Sequence, residues 1–377
     1  EWSVQMARSE MARRGPEAKG TRWEYTSGIL ALSLVELGKR TGDAATLAYG
    51  ERIIDRLIGP DGSIAGYSVD EYNIDMVTPG RVVLHLWEKT KDPRYEKAAR
   101  LLRKQLEGHP RTSEGGFWHK KRYPWQMWLD GLYMGSPFYV RYGRAFKEPA
   151  AYDDVAHQIL LMDKVSYDPK TGLFFHGWDE KREQFWANRE TGCSASFWGR
   201  AIGWYGMALV DVLEVMPADQ EKLDAVIEVL GKLAAGVARW QDPKSGLWYQ
   251  VVDQGERKGN YLEATASTMY VYTLAKGVNL GYLPRDKYLP VIRKAWAGLT
   301  SELIRKDPDG TLNLLRCCEV AGLGLTSKGT GLPRDGSFDY YVGEPIVEND
   351  LKGVGPFIMA GLELDRLLSA PVEGSAR

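Results

Sequence analysis

Asp130 stands in Trp125-Gln126-Met127-Trp128-Leu129-Asp130-Gly131-Leu132-Tyr133, a carboxylate ringed by indoles at the expected mouth of a helix. An aspartate at a helix start ordinarily caps the first free amides. Among aromatic rings, partial desolvation is expected to raise its pKa and keep a proton available for general acid chemistry. Asp75, in Tyr72-Asn73-Ile74-Asp75, is expected to open the inner helix one repeat earlier and face the same rim; its plain structural use is as a loop carboxylate leading into a Thr78-Pro79 cap. Two carboxylates across a cavity suit glycoside chemistry, one as acid and one as base or nucleophile.

His176, in Leu173-Phe174-Phe175-His176-Gly177-Trp178-Asp179, is the one histidine among aromatics on an expected loop; the other four read as surface or packing residues. It has no Cys or His partners at ligand spacing, which assigns it to hydrogen bonding with a substrate and not to a metal. Arg200 and Trp204 are four residues apart on one helix, so a guanidinium and an indole project together. Such a pair grips a carboxylate and stacks on a sugar ring; the alternative is a packing tryptophan beside an arginine paired with an acid. Trp198 carries the same two readings. No dinucleotide fingerprint, phosphate loop, His-Glu-x-x-His, paired Cys-x-x-Cys or Gly-x-Ser-x-Gly elbow occurs, so neither cofactor nor metal is expected.

The elements that must position these residues announce themselves through a repeated turn. It appears as Asp61-Gly62-Ser63-Ile64, Glu114-Gly115-Gly116-Phe117-Trp118, Asp168 to Phe175, Asp242 to Tyr249 and Asp307 to Leu312. Glycines 62, 116, 172, 246 and 310 are 54, 56, 74 and 64 residues apart, room for two helices and a loop. Between the turns, apolar residues recur at i, i+3, i+4 and i+7. Hairpins are predicted over 26–39 and 43–58, 78–90 and 92–107, 130–146 and 149–164, 200–216 and 219–238, and 263–281 and 285–303, with 347–368 and 2–14 pairing across the chain ends. The prediction is an all-α (α/α)6 toroid of six helical hairpins, a single catalytic domain over 1–377. The first helix of each pair lines the inside, so Tyr25, Asp75, Asp130, Arg200, Glu263 and Asp350 meet at one rim.

Composition narrows the partners. Lys plus Arg (49) nearly balance Asp plus Glu (50), so no field favours nucleic acid or an anionic membrane. The apolar runs fall short of the roughly 20 residues that cross a bilayer. Cys193, Cys317 and Cys318 suit neither a disulfide framework nor a metal site and are read as free thiols. Trp (13) and Tyr (20) outnumber Phe (9), a bias toward rings with a polar handle, as sugar clefts use. A start at Glu1 without a leader favours a processed, periplasmic protein over a cytoplasmic one.

Several strings together resemble a known family: Arg22 to Gly28, Tyr72 to Asp75, Trp128-Leu129-Asp130-Gly131-Leu132-Tyr133-Met134, His176-Gly177-Trp178, Phe197 to Arg200 with Gly203-Trp204-Tyr205, and Gly246 to Gln250. In order, from about Trp2 to Leu368, they are similar to the unsaturated rhamnogalacturonyl hydrolases, glycoside hydrolase family 105. The resemblance implies an (α/α)6 barrel and an unusual reaction. The substrate is a pectin-type oligosaccharide ending in a 4,5-unsaturated uronic acid left by a lyase. The enzyme hydrates the vinyl-ether double bond, and a hemiketal forms, opens and releases the rest of the chain. It further implies that Asp130 protonates C4 and activates the water adding at C5, that Asp75 assists, and that His176, Arg200, Trp204, Trp198 and Tyr25 bind the uronate, without a cofactor. Where relatives often show Gly-Arg-Gly-Asn-Gly-Trp, this chain has Gly199-Arg200-Ala201-Ile202-Gly203-Trp204. The resemblance extends to the sister family of unsaturated glucuronyl hydrolases, which shares the fold and mechanism, and the residues alone also admit a conventional inverting glycosidase or a non-catalytic sugar-binding toroid.

Overall fold

The structure, a computed structural model, describes residues 1–369, so the end of the expected domain, 370–377, lies outside it. Helix α1 (Trp2–Arg14) opens the chain. Hairpins follow: α2 (Tyr25–Thr41) with α3 (Ala44–Asp55), α4 (Gly80–Thr90) with α5 (Pro93–Gly108), α6 (Leu129–Phe146) with α7 (Ala150–Ser166), α8 (Gly199–Leu213) with α9 (Leu223–Arg239), and α10 (Ala264–Asn279) with α11 (Arg285–Glu302). A short α12 (Phe338–Gly343) precedes α13 (Leu351–Ser369). Helices α2, α4, α6, α8, α10 and α13 each touch the next in that order, and α13 touches α2, so the inner ring closes. α13 packs against α1 across the chain ends, the sixth pair. The expected toroid is the one observed.

Inner and outer helices differ in burial as their positions demand. Every residue of α8 is buried, with α6 and α10 packed beside it and α9 against it. Outer α9 buries Val226, Val229, Leu230, Leu233, Ala234 and Val237, one amphipathic stripe. Asp92 caps α5 through Arg94 N, with Pro93 in the first helical position. The Thr78-Pro79 cap is not formed. α4 starts at Gly80, and the Thr78 hydroxyl donates to the Met134 carbonyl at 3.3 Å instead. Eight strands of two or three residues, which no sequence periodicity of that length can signal, pair into four small antiparallel sheets among the described residues. One of them, Ile346–Val347 on Cys317–Cys318, takes Val347, which was expected to begin the last helix. Cys193, Cys317 and Cys318 are free and buried, as read from their spacing.

The repeated turn docks each loop onto the next outer helix. Asp168 and Asp242 each accept from the backbone and hydroxyl of the residue three further on, Thr171 and Ser245. Gly172 and Gly246 then take φ of +75° and +76°. The loop backbone reaches a glycine of the following outer helix: a Cβ on Gly236 of α9 would lie 2.0 Å from the Gly172 carbonyl oxygen, and one on Gly298 of α11 would lie 2.1 Å from that of Ser245. We predict that Gly298→Ala lowers stability by about 1–3 kcal/mol through overpacking, despite alanine's better helix propensity. Gly231→Ala, facing open space in α9, gains up to about 1 kcal/mol. Thermal unfolding of the two variants checks this; equal behaviour would remove the docking role.

Candidate active site

Asp130 is the second residue of α6, whose N-cap is Trp128, and no side chain caps that end. Its carboxylate is therefore not spent on capping. Strand Gln126–Trp128, which leads directly into α6, pairs antiparallel with Gly177–Asp179. The ladder ends where Leu129 N donates to the His176 carbonyl at 2.9 Å. This pairing carries His176 to Asp130: Nε2 lies 3.1 Å from Oδ2, and neither atom has an aligned hydrogen-bond partner. His176 Nδ1 is 2.7 Å from the Tyr341 hydroxyl of α12.

The expected rise in the Asp130 pKa is not what results. Burial pushes the carboxyl up, but His176 alongside, with a smaller effect of His119, outweighs burial and holds it below its ordinary value. The sequence shows the desolvating rings and not the imidazole that folding sets against them. His176 itself is fully buried and stands behind Asp130 instead of on the cavity wall where hydrogen bonding to a substrate was expected. In His176→Asn, burial acts with less opposition, and the Asp130 carboxyl is expected to titrate above the roughly 3.9 of a free aspartate. ¹³C NMR of labelled aspartate reads this; an Asp130 titration that stays low would assign the depression to another group.

Asp130 and Asp75 open onto one cavity of about 220 Å³, whose wall also carries Tyr25, Trp198, Arg200 and Trp204. Asp75 belongs to a 3₁₀ turn, Ile74–Val77, that precedes α4 and does not open it; Asn73 caps this turn through Asp75 N. Lys120 Nζ lies 2.6 Å from Asp75, and His119 Nε2 lies 3.5 Å away. Arg200, the second residue of α8, is 1 % exposed. It donates to the carbonyls of Cys318 and Glu319, lies 4.8 Å from the Trp198 ring, and leaves its Nε without a partner. Burial opposes its charge, but the surrounding Cys318, Glu263 and Asp350 keep its pKa raised, so the guanidinium stays cationic. Trp204 stacks on Tyr133 at 4.8 Å and meets Tyr25 edge-on at 6.2 Å. Trp198 Nε1 donates to Gln250, and its ring stacks on Tyr341 at 5.6 Å.

His119, Lys120 and Tyr341 were not picked out from the sequence. His119 is not a mere packing residue: it lines the cavity, stacked on Trp128 at 4.3 Å, and burial lowers its pKa to about 4, leaving the ring neutral at pH 7. A signal for it exists. In the second turn the left-handed glycine is Gly115 and not Gly116. Counted from the left-handed glycine, His119, His176 and Gln250 each stand four residues on, the same place in three successive repeats. Among the described residues, no three His, Cys, Asp or Glu side chains gather as a metal site, and no helix is long and apolar enough to cross a membrane.

These motifs and this toroid recur in known proteins. The model of Glycosyl Hydrolase Family 88 matches residues 2–368. A solved glycoside hydrolase from family 105 of C. acetobutylicum is 44 % identical, with a TM-score of 0.92 over 97 % of this chain and 99 % of that one. The chain belongs to family 105. Among curated proteins, Protein Atu3128 of Agrobacterium fabrum is 39 % identical over 61 % of this chain and 97 % of its own. The unsaturated rhamnogalacturonyl hydrolase YesR of Bacillus subtilis is 27 % identical over 65 % of this chain and 68 % of its own. The enzyme is a glycoside hydrolase of the unsaturated-uronyl type.

Proposed function

We propose that this hydrolase removes a 4,5-unsaturated uronic acid from the non-reducing end of lyase-generated, pectin-type oligosaccharides by hydrating its vinyl-ether double bond. The observation that carries the reading is Asp130: a buried carboxylate unspent on helix capping, coupled to His176 and facing a cavity with the cationic Arg200. YesR, named for unsaturated rhamnogalacturonyl substrates, supports the pectin-type choice.

Arg200 receives the uronate carboxylate, and Trp204, Trp198 and Tyr25 bound the ring. The arriving anion opposes the charge on Asp130 and moves its depressed pKa upward, favouring the acid form that the first step uses. Asp130 then gives its proton to C4 of the C4–C5 double bond. As positive charge develops at C5, the resulting carboxylate takes a proton from the water that adds there. The hemiketal so formed opens by breaking the bond from C5 to the ring oxygen, leaving a ketone at C5 and a hemiacetal at C1, and collapse of that hemiacetal to an aldehyde breaks the bond to the departing sugar. His176 acts through Asp130, orienting it from 3.1 Å away. Asp75, held by Lys120, assists from the cavity wall.

The test follows the ultraviolet absorbance of the conjugated double bond during incubation with lyase-generated unsaturated rhamnogalacturonan disaccharide. Its loss is the expected result. Persistent absorbance on every unsaturated uronide, with cleavage of a saturated oligosaccharide, would replace hydration with conventional hydrolysis.

A further inference from the structure

We infer that Tyr341 is a positioning residue for the hydration: its hydroxyl donates to His176 Nδ1, keeps the hydrogen of that ring on Nε2, and so confines the transferable proton of Asp130 to Oδ1. This rests on the reading of Asp130 as the group that protonates C4, and it names the oxygen from which the proton leaves.

A neutral imidazole has one N–H and one lone pair, and a tyrosine hydroxyl can give one hydrogen bond and accept others. His176 and Tyr341 are both fully buried, with Nδ1 2.7 Å from the hydroxyl. Trp128 and Trp198 flank the imidazole at 5.4 and 4.8 Å, and their own N–H groups are taken by Gln126 and Gln250. A hydrogen on Nδ1 would point at the Tyr341 oxygen and leave the hydroxyl hydrogen without an acceptor among the described residues. In that tautomer the Nε2 lone pair would also face Asp130 Oδ2 at 3.1 Å, acceptor against acceptor. With the hydrogen on Nε2 both conflicts vanish, since the hydroxyl donates to Nδ1 and the N–H faces the carboxylate. Burial pushes the Tyr341 phenol well above its ordinary pKa, so it keeps the hydrogen it has to give.

Helix α12 holds Tyr341 in place. Ser337 caps that helix through Tyr340 N, the Tyr341 carbonyl accepts from Gln250 Nε2 at 2.9 Å, and the Tyr341 ring lies 12° from parallel to Trp198. The consequence falls on Asp130. Its Oδ2 is buried against Nε2, whereas the side chain as a whole keeps 12 % exposure and lines the cavity. A proton on Oδ2 would meet the N–H and be withheld from the sugar; on Oδ1 it is within reach. A hydroxyl hydrogen left unpaired in the interior is unfavourable enough to bias the two placements by roughly 5- to 150-fold. Phenylalanine at 341 has no such preference.

The test labels the enzyme with ¹⁵N-histidine and reads His176 by ¹H–¹⁵N correlation at pH 8, above the roughly 6.5 of a free imidazole, with His176→Asn assigning the signal. The expected wild-type spectrum shows the hydrogen on Nε2 and an unprotonated, hydrogen-bonded Nδ1. A hydrogen on Nδ1, in the other tautomer or in an imidazolium, overturns the inference whatever the variants do. Tyr341→Phe removes only the hydroxyl. It is expected to move the Nδ1 signal toward that of a free lone pair and to lower kcat on the unsaturated disaccharide by about tenfold, with KM changed less than about twofold. Circular dichroism checks its folding. An unchanged kcat in the folded variant overturns the inference and leaves the hydration reading standing, as does a loss carried by KM alone. If the wild-type enzyme hydrates no unsaturated disaccharide, the hydration reading fails and this inference with it.

Discussion

Asp130→Asn is expected to slow hydration of the unsaturated disaccharide by about 10²–10⁴-fold, the usual contribution of a positioned general acid–base. The amide keeps the size and planar shape of the carboxylate but can neither give a proton to C4 nor take one from water. Binding should be largely retained, because Arg200, Trp198, Trp204 and Tyr25 are unaltered on the cavity wall. Absorbance kinetics give the rate, and calorimetric titration with the unreacted disaccharide gives the affinity. A rate within a few-fold of the wild type would remove Asp130 from its role. An affinity loss as large as the rate loss would make it a binding group.

The second large effect lies deep inside the ring. Asp211 of α8 is completely buried, with Arg81 Nη1 2.7 Å from one oxygen and Lys276 Nζ 2.7 Å from the other, and Tyr272 donates to it at 2.5 Å. Burial alone would raise its pKa, but the two cations and their hydrogen bonds reverse that and hold it far below the usual carboxylate range. Arg81 Nη1 also donates to the Tyr133 hydroxyl at 3.2 Å, and Tyr133 underlies Trp204, so the network supports the cavity floor. Asp211→Asn leaves two buried cations with one remaining acid, Glu214, at 3.0 Å from Lys276. The expected destabilisation is about 3–5 kcal/mol, measured by urea unfolding. The sign with pH follows from the depressed folded pKa. The carboxylate's stabilisation is fully present above the unfolded value of about 3.9 and is lost as pH falls through the folded value. The gap between wild type and variant should therefore be constant from about pH 5 to 8 and narrow below about pH 4. A loss under about 1 kcal/mol, or a gap that widens in acid, would contradict this account.

Much of the fold is legible in the chain because its signals are local. The apolar period of each helix, the Asp92-Pro93 start and the Asp-to-Gly turns depend on residues within a few positions of one another. The rim followed from the repeat, and Asp75, Asp130, Arg200, Trp198, Trp204 and Tyr25 do meet at one cavity. Where local signals were ambiguous, the sequence misled. Gly115 and Gly116 look alike as letters, and only the backbone shows that Gly115 takes the left-handed conformation, which is why His119 escaped notice. Tyr341 reaches His176 from 165 residues away, on a helix of six residues too short for a periodic signal. The two-residue and three-residue strands that carry His176 to Asp130 are equally silent.

The sequence by itself determined six helical hairpins, a carboxylate at the head of an inner helix, and the arginine and tryptophan one turn apart that share its cavity. Tertiary structure decided how that carboxylate behaves. Burial and a neighbouring imidazole act on Asp130 with opposite sign, and their balance depends on a 3.1 Å separation set by strand pairing and ring closure. Periodicity is a property of neighbours along the chain, whereas a pKa is a sum over neighbours in space.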